Sequence, residues 1–372
     1  MYNTKPEIFI WEIRVSVASA IAFEKKHIEQ HRFDASPALA EQAVHCLELV
    51  AELSDAGLSY QFKGGNSLLL ILDKPRRFSI DVDIATDESR ERIEECLDTI
   101  IDCYGVFRRW DKRAHRTKPW LPIASYYLFF DSHFAVPKET HIMLDAQLRR
   151  SPYRTELKPV VCGELYAAPV KAELPFASSI IGDKLLTLGP NTLGIPVGKG
   201  KEAQRLKHVY DVSVLLGRNP ALEDIRVSLT GCLAHENEIQ ESTIGLEEVL
   251  RDTLDYCGAT AKCGVPPSFD TGDSALHENA LGLNAFAGHL FSGDYTWKRL
   301  QYDTARAALT VTAACRSDIG QDTFETALAG NEVPHGVPCR STGKLPCEPR
   351  VQRWWHWIAA WLEVDPFSRV GL

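Results

Sequence analysis

Two aspartates set the chemistry this chain could do. In Asp81-Val82-Asp83 the carboxylates are two residues apart. On a β-strand that spacing puts both on one face, with Val82 and Ile84 turned the other way into a core. Two adjacent carboxylates repel each other unless a cation or another partner neutralises them. Oxygen ligands of this kind suit Mg²⁺ or Mn²⁺. Two such metals, held roughly 3.5–4 Å apart, stabilise the attacking and leaving oxygens of a phosphoryl transfer. Alone, an Asp-x-Asp pair is weak evidence, because solvated surface acids show the same spacing.

The residues upstream sharpen it. Lys63-Gly64-Gly65-Asn66-Ser67-Leu68 falls between a short strand, Tyr60 to Phe62, and an apolar helix starting near Ser67. Glycines permit a tight turn and a close approach of backbone to phosphate. A helix N-terminus offers free N–H groups to an anion, and Ser67 can add a hydroxyl. Arg77-Phe78-Ser79-Ile80 then leads into the acidic pair. A third acid is expected on a neighbouring strand to act as, or near, the general base for an attacking hydroxyl. Asp145, on a strand from His141 to Gln147, fits and shares a face with Met143 and Gln147.

These residues need elements to hold them. Ser36-Pro37 reads as an N-cap followed by a first-turn proline, opening a helix through Leu47, Val50 and Leu53 that closes near Gly57. Phe78 to Ile84 alternates as a strand. Asp87 to Tyr104 reads as an amphipathic helix with Ile93, Leu97, Ile100 and Ile101 on one side. Tyr126 to Phe130 and His141 to Gln147 read as further strands. The fold class is therefore α+β, a small mixed sheet flanked by helices and followed by a mainly helical domain. The division is expected near residue 160, giving domains 1–160 and 161–372. Mixed helical periodicity from Ile8 to Ile28, and helices over Ser178–Leu188 and Glu202–Leu216, complete the pattern. Residues 257–274 and 331–350 read as loops. Trp354, Trp357, Ile358 and Trp361 follow helical spacing and read as a terminal helix docking an aromatic face.

At this point the chain resembles the AbiEii/AbiGii toxin-type nucleotidyltransferases of the DNA polymerase β-like superfamily. The resemblance rests on Lys63-Gly64-Gly65-Asn66-Ser67-Leu68 with Arg77-Phe78-Ser79-x-Asp81-x-Asp83. It also rests on Ile181-Gly182-Asp183-Lys184-Leu185-Leu186-Thr187 and on Arg205-Leu206-Lys207-His208-Val209-Tyr210-Asp211, and it spans roughly residues 55–218. It implies catalytic roles for Asp81, Asp83, Asp145, Lys184 and Asp211. Asp81, Asp83 and Asp145 would hold Mg²⁺ (or Mn²⁺). Lys63, Gly64, Gly65, Asn66, Ser67, Ser79 and Lys184 would bind the nucleotide. Lys184 would neutralise phosphate charge, and Asp211 would position that lysine. Residues 161–218 would complete the nucleotide site. The implied function is a toxin that transfers NMP from an NTP co-substrate to RNA, with the tRNA 3′ end as acceptor and a cognate antitoxin as a possible partner.

Charge distribution agrees with a polyanionic acceptor. The formal net charge is −9, yet residues 60–218 hold 24 Lys and Arg against 20 Asp and Glu, while the remainder holds 17 against 30. Arg108, Arg109, Lys112, Arg113 and Arg116 crowd one stretch interleaved with Trp110, a mixture that suits single-stranded nucleic acid; a solvated basic loop is the alternative. Other acceptors, such as a protein or a small molecule, stay open, as does a nucleotide-binding partner protein without chemistry. Ten scattered cysteines lack zinc-site spacing and read as buried thiols. No stretch approaches the 18 apolar residues of a membrane helix, and the N-terminal residues lack a signal-peptide pattern, so the expected location is cytoplasmic and off the membrane.

Overall fold

The computed structural model describes residues 16–113, 121–268, 274–291, 293–334, 337 and 342–367. The chain divides into two compact units. One is Met1–Arg150 with Glu156–Leu174; the other is Ser151–Thr155 with Pro175–Leu372.

The first unit begins with α1 (Lys25–His31) and α2 (Pro37–Asp55). Ser36 caps α2, its hydroxyl accepting from the Leu39 amide at 3.3 Å, and Pro37 occupies the first turn. There follow β1 (Gln61–Lys63), α3 (Gly64–Ile71), β2 (Asp81–Ala85) and α4 (Arg90–Cys103). Helix α3 starts at Gly64, earlier than the apolar run alone suggests. The sheet continues with β3 (Arg109–Arg113), β4 (Ile123–Asp131), β5 (Glu139–Gln147), β6 (Thr155–Cys162) and β7 (Tyr166–Pro175). Its seven strands lie in the order β3-β4-β5-β2-β1-β7-β6. The sheet is mixed: β2 runs parallel to β5 and antiparallel to β1, and β4 is antiparallel to both neighbours.

One face of this sheet is closed by α2. Phe62, Val82, Ile84, Leu128, Leu144 and Ala146 are buried there, as are Leu47 and Val50 of α2 and Ile93, Leu97 and Ile100 of α4. Each buried aliphatic or aromatic side chain contributes about 1.5–3 kcal/mol. His45 of α2 stacks on Phe130, ring centroids 3.6 Å apart, and burial pushes its pKa down to about 4.

Three strands were not evident in the sequence. The basic stretch after Arg108 forms edge strand β3, and β6 and β7 extend the sheet on its other side. The expected division at residue 160 falls inside β6, and the first unit runs on to Leu174. Most of the Ile8–Ile28 periodicity lies outside the described residues.

The second unit is helical: α5 (Ala177–Leu186), α6 (Glu202–Leu215), α7 (Leu222–Gln240), α8 (Leu246–Lys262), α9 (Ser274–Ala287), α10 (Trp297–Ala314), α11 (Gln321–Leu328) and α12 (Pro349–Leu362). Helix α10 packs against α6, α7, α8, α11 and α12. The tryptophans of α12 dock inward: Trp354 Nε1 donates to Ala327 O at 3.0 Å and Trp357 Nε1 to Asn331 O at 2.9 Å. The nine described cysteines are free thiols. Among the described residues no helix is long and apolar enough to cross a membrane.

Candidate active site

Strand register brings the first-unit site together. In the parallel pair β2–β5, Asp83 lies beside Asp145 and Asp81 beside Met143. In β1–β2, Lys63 lies beside Asp83; in β4–β5, Ser125 lies beside Asp145. Directly paired residues share a face, so Lys63, Asp83, Asp145 and Ser125 form one row across four strands. Asp81 sits one pleat along on the same face. All three acids are partly exposed, whereas Val82 and Ile84 between them are sealed in the core.

The glycine turn fits under this row. Gly64 has a φ of +72°, and any side chain there would run into the Asp83 carboxylate. Only glycine tolerates both conditions without strain. A methyl group on Gly65 would lie 2.8 Å from Arg77 Nη2 and 3.0 Å from Ser79 Oγ. The backbone at the start of α3 is thus held between the acids on one side and Arg77 with Ser79 on the other.

Asn66 and Ser67 are fully buried. Asn66 Nδ2 donates to Asp81 O at 2.9 Å, and the Ser67 hydroxyl donates to Gly64 O at 2.8 Å. Their side chains therefore brace the turn and clamp it to β2, and what they present at the helix N-terminus is backbone. Cys46 of α2 lies behind this brace. Burial raises its thiol pKa well above the usual range, and the nearby charges of Asp81 and Asp83 add to the effect. It remains a neutral, unreactive filler.

Three further residues belong to the site. Ser125 donates a short hydrogen bond to Asp145 Oδ1. Gln147 Oε1 accepts from Lys63 Nζ at 3.0 Å. Arg77 is nearly buried and donates to Phe78 O at 3.3 Å while packing on Gly65. Ser125 could not be found from spacing, since only strand register puts it beside Asp145. Gln147 shared a predicted face with Asp145, and Arg77 stood within the motif, so both had a signal.

The donor set is all oxygen, which suits a hard divalent cation. Among the described residues no three His, Cys, Asp or Glu side chains converge into a metal cage. Mg²⁺ is commonly held by one or two carboxylates together with substrate phosphates. Asp83 and Asp145 in register, with Asp81 one pleat away, meet that lesser requirement once a triphosphate supplies the remaining oxygens.

Lys184 and Asp211 belong to the second unit, on α5 and α6. Their side chains form a buried ion pair, Nζ to Oδ2 at 3.0 Å. One turn from Asp211, His208 Nδ1 lies 2.7 Å from Thr187 Oγ1, whose hydroxyl reaches back to Lys184 O at 2.8 Å. The carboxylate partner fixes the position of the lysine side chain.

The basic stretch is largely paired with acids. Arg108 pairs with Asp131, Arg109 with Asp111 and Glu139, and Lys112 Nζ with Glu94 at 2.8 Å. Arg113 donates to Met143 Sδ at 3.0 Å. Trp110 turns to the opposite face, its Nε1 donating to Asp98 Oδ1 at 2.9 Å. Arg116 lies outside the described residues.

A family model described as "Nucleotidyl transferase AbiEii toxin, Type IV TA system" matches residues 48–294. The match extends well past the Arg205–Asp211 motif and includes all of α9 in the second unit. Among solved structures, MenT4, a nucleotidyltransferase toxin from Mycobacterium tuberculosis H37Rv, aligns with a TM-score of 0.46 at 16% identity, covering 82% of this chain and 98% of its own. No curated protein sequence matches.

Proposed function

Since the chain belongs to the AbiEii family of nucleotidyltransferase toxins of type IV toxin–antitoxin systems, we propose that it transfers a nucleoside monophosphate from an NTP to RNA, with the tRNA 3′ end as acceptor. The observation that carries this reading is the register of Asp83 against Asp145 beside the Gly64 turn. It sets an acid pair next to a backbone cradle, which is what nucleotidyl transfer requires.

Asp81, Asp83 and Asp145 would hold Mg²⁺ or Mn²⁺, which when bound neutralises charge on the attacking and leaving oxygens. The N–H groups at the start of α3 bind the triphosphate, assisted by Lys63 and Ser79. Asp145, oriented by Ser125, takes the proton of the acceptor hydroxyl as its oxygen bonds to the α-phosphorus. The bond from that phosphorus to the bridging oxygen breaks and pyrophosphate leaves. In the second unit Asp211 holds Lys184, the lysine to which the family resemblance gives a role toward phosphate charge. Membership of a type IV system implies a cognate antitoxin. The cytoplasm, where NTP and tRNA are both present, is the location this reading requires.

The test is incubation of the purified protein with total tRNA, Mg²⁺ and each α-labelled NTP, beside an Asp81→Ala control. Label on tRNA that depends on Asp81 supports the reading and names the donor. Label on protein or small molecules only, or label on tRNA that survives Asp81→Ala, overturns it.

A further inference from the structure

The sheet face that carries the acids continues beyond them. From Asp145, strand β5 runs back through Met143 to His141 on the same face, and these pair across to Tyr127 and Phe129 of β4. The next strand outward brings Arg113 beside Ser125 and Arg109 beside Phe129. Tyr127 and Phe129 are half-buried and His141 is exposed.

These three rings touch. His141 meets Tyr127 at a centroid distance of 4.6 Å and Phe129 at 5.5 Å, both inclined rather than stacked. The Arg109 guanidinium lies over the Phe129 ring, 3.5 Å from its centroid. Arg113 stands nearer the acids, and among the described residues its partner is the Met143 thioether, a neutral acceptor. Among the described residues no carboxylate forms an ion pair with it.

We propose that this face binds the unpaired 3′-terminal segment of a polynucleotide acceptor, with bases against Tyr127, Phe129 and His141 and phosphates against Arg113 and Arg109. The inference rests on the reading of this chain as an RNA nucleotidyltransferase, and it assigns that acceptor a path. Three observations support it. The surface is continuous with the Asp83–Asp145 row, through paired residues of the same strands. Residues two apart on a strand advance about 6.8 Å, so Asp145 to His141 spans about 14 Å, roughly four stacked nucleotides. Aromatic rings beside guanidinium groups recognise single strands without regard to sequence, since every base has a π-face. Along this path Arg108 and Lys112 are held by acids and Arg109 is shared between the Phe129 ring and the carboxylates of Asp111 and Glu139, whereas Arg113 lies beside Ser125, one strand out from Asp145.

The test uses the full chain carrying Asp81→Ala, so that binding is read without turnover. A labelled 12-nucleotide single-stranded RNA with a free 3′ hydroxyl is titrated by fluorescence anisotropy at several salt concentrations. Tyr127→Leu and Phe129→Leu should each raise the Kd about 10-fold, and Tyr127→Trp should restore it. Arg113→Gln should weaken binding and lower the salt slope by about one. A blunt RNA duplex should bind at least about 10-fold more weakly than the strand. The proposal is overturned if leucine variants with the parent's melting temperature bind the strand as the parent does, if the duplex binds equally well, or if poly-glutamate displaces the strand at equal charge concentration. Failure of the functional reading is distinct: the unmodified protein would then transfer no label to RNA, whatever the strand affinity.

Discussion

The two faces of the first-unit sheet are built from the same strands and have opposite fates. On one, Phe62, Val82, Ile84, Leu128 and Leu144 are sealed. On the other, Lys63, Asp83, Asp145 and the Tyr127–His141 surface stay reachable. A pleat alternates side chains by one residue, so Val82 separates the two candidate acids Asp81 and Asp83 while lying wholly in the core. The closed face supplies the burial energy. The open face carries the acid row of Asp83 and Asp145 with Lys63 at its side. The stiffness of the first is what lets the second hold acids at fixed spacing.

Substitutions on alternate residues should separate these roles. Asp83→Asn should lower transfer by roughly 10³-fold, since a metal ligand is worth several kcal/mol. Its melting temperature should stay level, because Asp83 lies on the partly exposed face of the sheet and not in the core; a fall in melting temperature would show that Asp83 is structural. One residue along, Ile84→Ala should do the reverse. It should cost about 2–5 kcal/mol of stability in urea unfolding and leave turnover per folded molecule within about threefold.

Gly64→Ala tests the junction of the two faces. Its φ of +72° disfavours any L side chain, and the added carbon would push Asp83 aside. A shift of about 1 Å at a reacting group can cost about 10²-fold in rate, so kcat should fall by that order while the chain still folds. A kcat equal to the parent's would show that Asp83 has slack.

The smallest effect concerns pH on the closed face. Buried His45 has a folded pKa of about 4 against an ordinary 6.5. Between those values the unfolded chain binds the additional proton, so stability falls as pH drops from 6.5 toward 4. At pH 5.5 the loss is about 1.4 kcal/mol. Glu52, buried on the same helix with its pKa raised well above 4.5, acts oppositely, its contribution to stability being lost as pH rises above 4.5. The His45 term is therefore read as the difference between the parent and His45→Gln melts across pH 4–7. Parallel profiles would remove the assignment.

Much of this was legible in the chain itself. Ser36-Pro37 announced α2 because capping is a local interaction, and the alternation around Val82 gave both the strand and the face of its acids. Gly64-Gly65 marked a turn because glycine reports a backbone need directly. Strand β3 was hidden because an edge strand with Arg109, Asp111 and Arg113 outward carries no apolar alternation. The β6–β7 pair was hidden for a related reason. Several of its outward positions face water, including Leu157 and Val161, so apolar residues did not mark one face.

The sequence by itself determined which atoms could do chemistry: three carboxylates, a glycine turn and a lysine with a later aspartate, because residue type and short-range spacing fix donor chemistry and local backbone. Only the tertiary structure decided which of them meet. That Asp83 pairs with Asp145, that Ser125 serves it, and that Asn66 and Ser67 turn inward as braces are consequences of strand register and packing. Those depend on contacts between residues far apart in the chain, which no local spacing encodes.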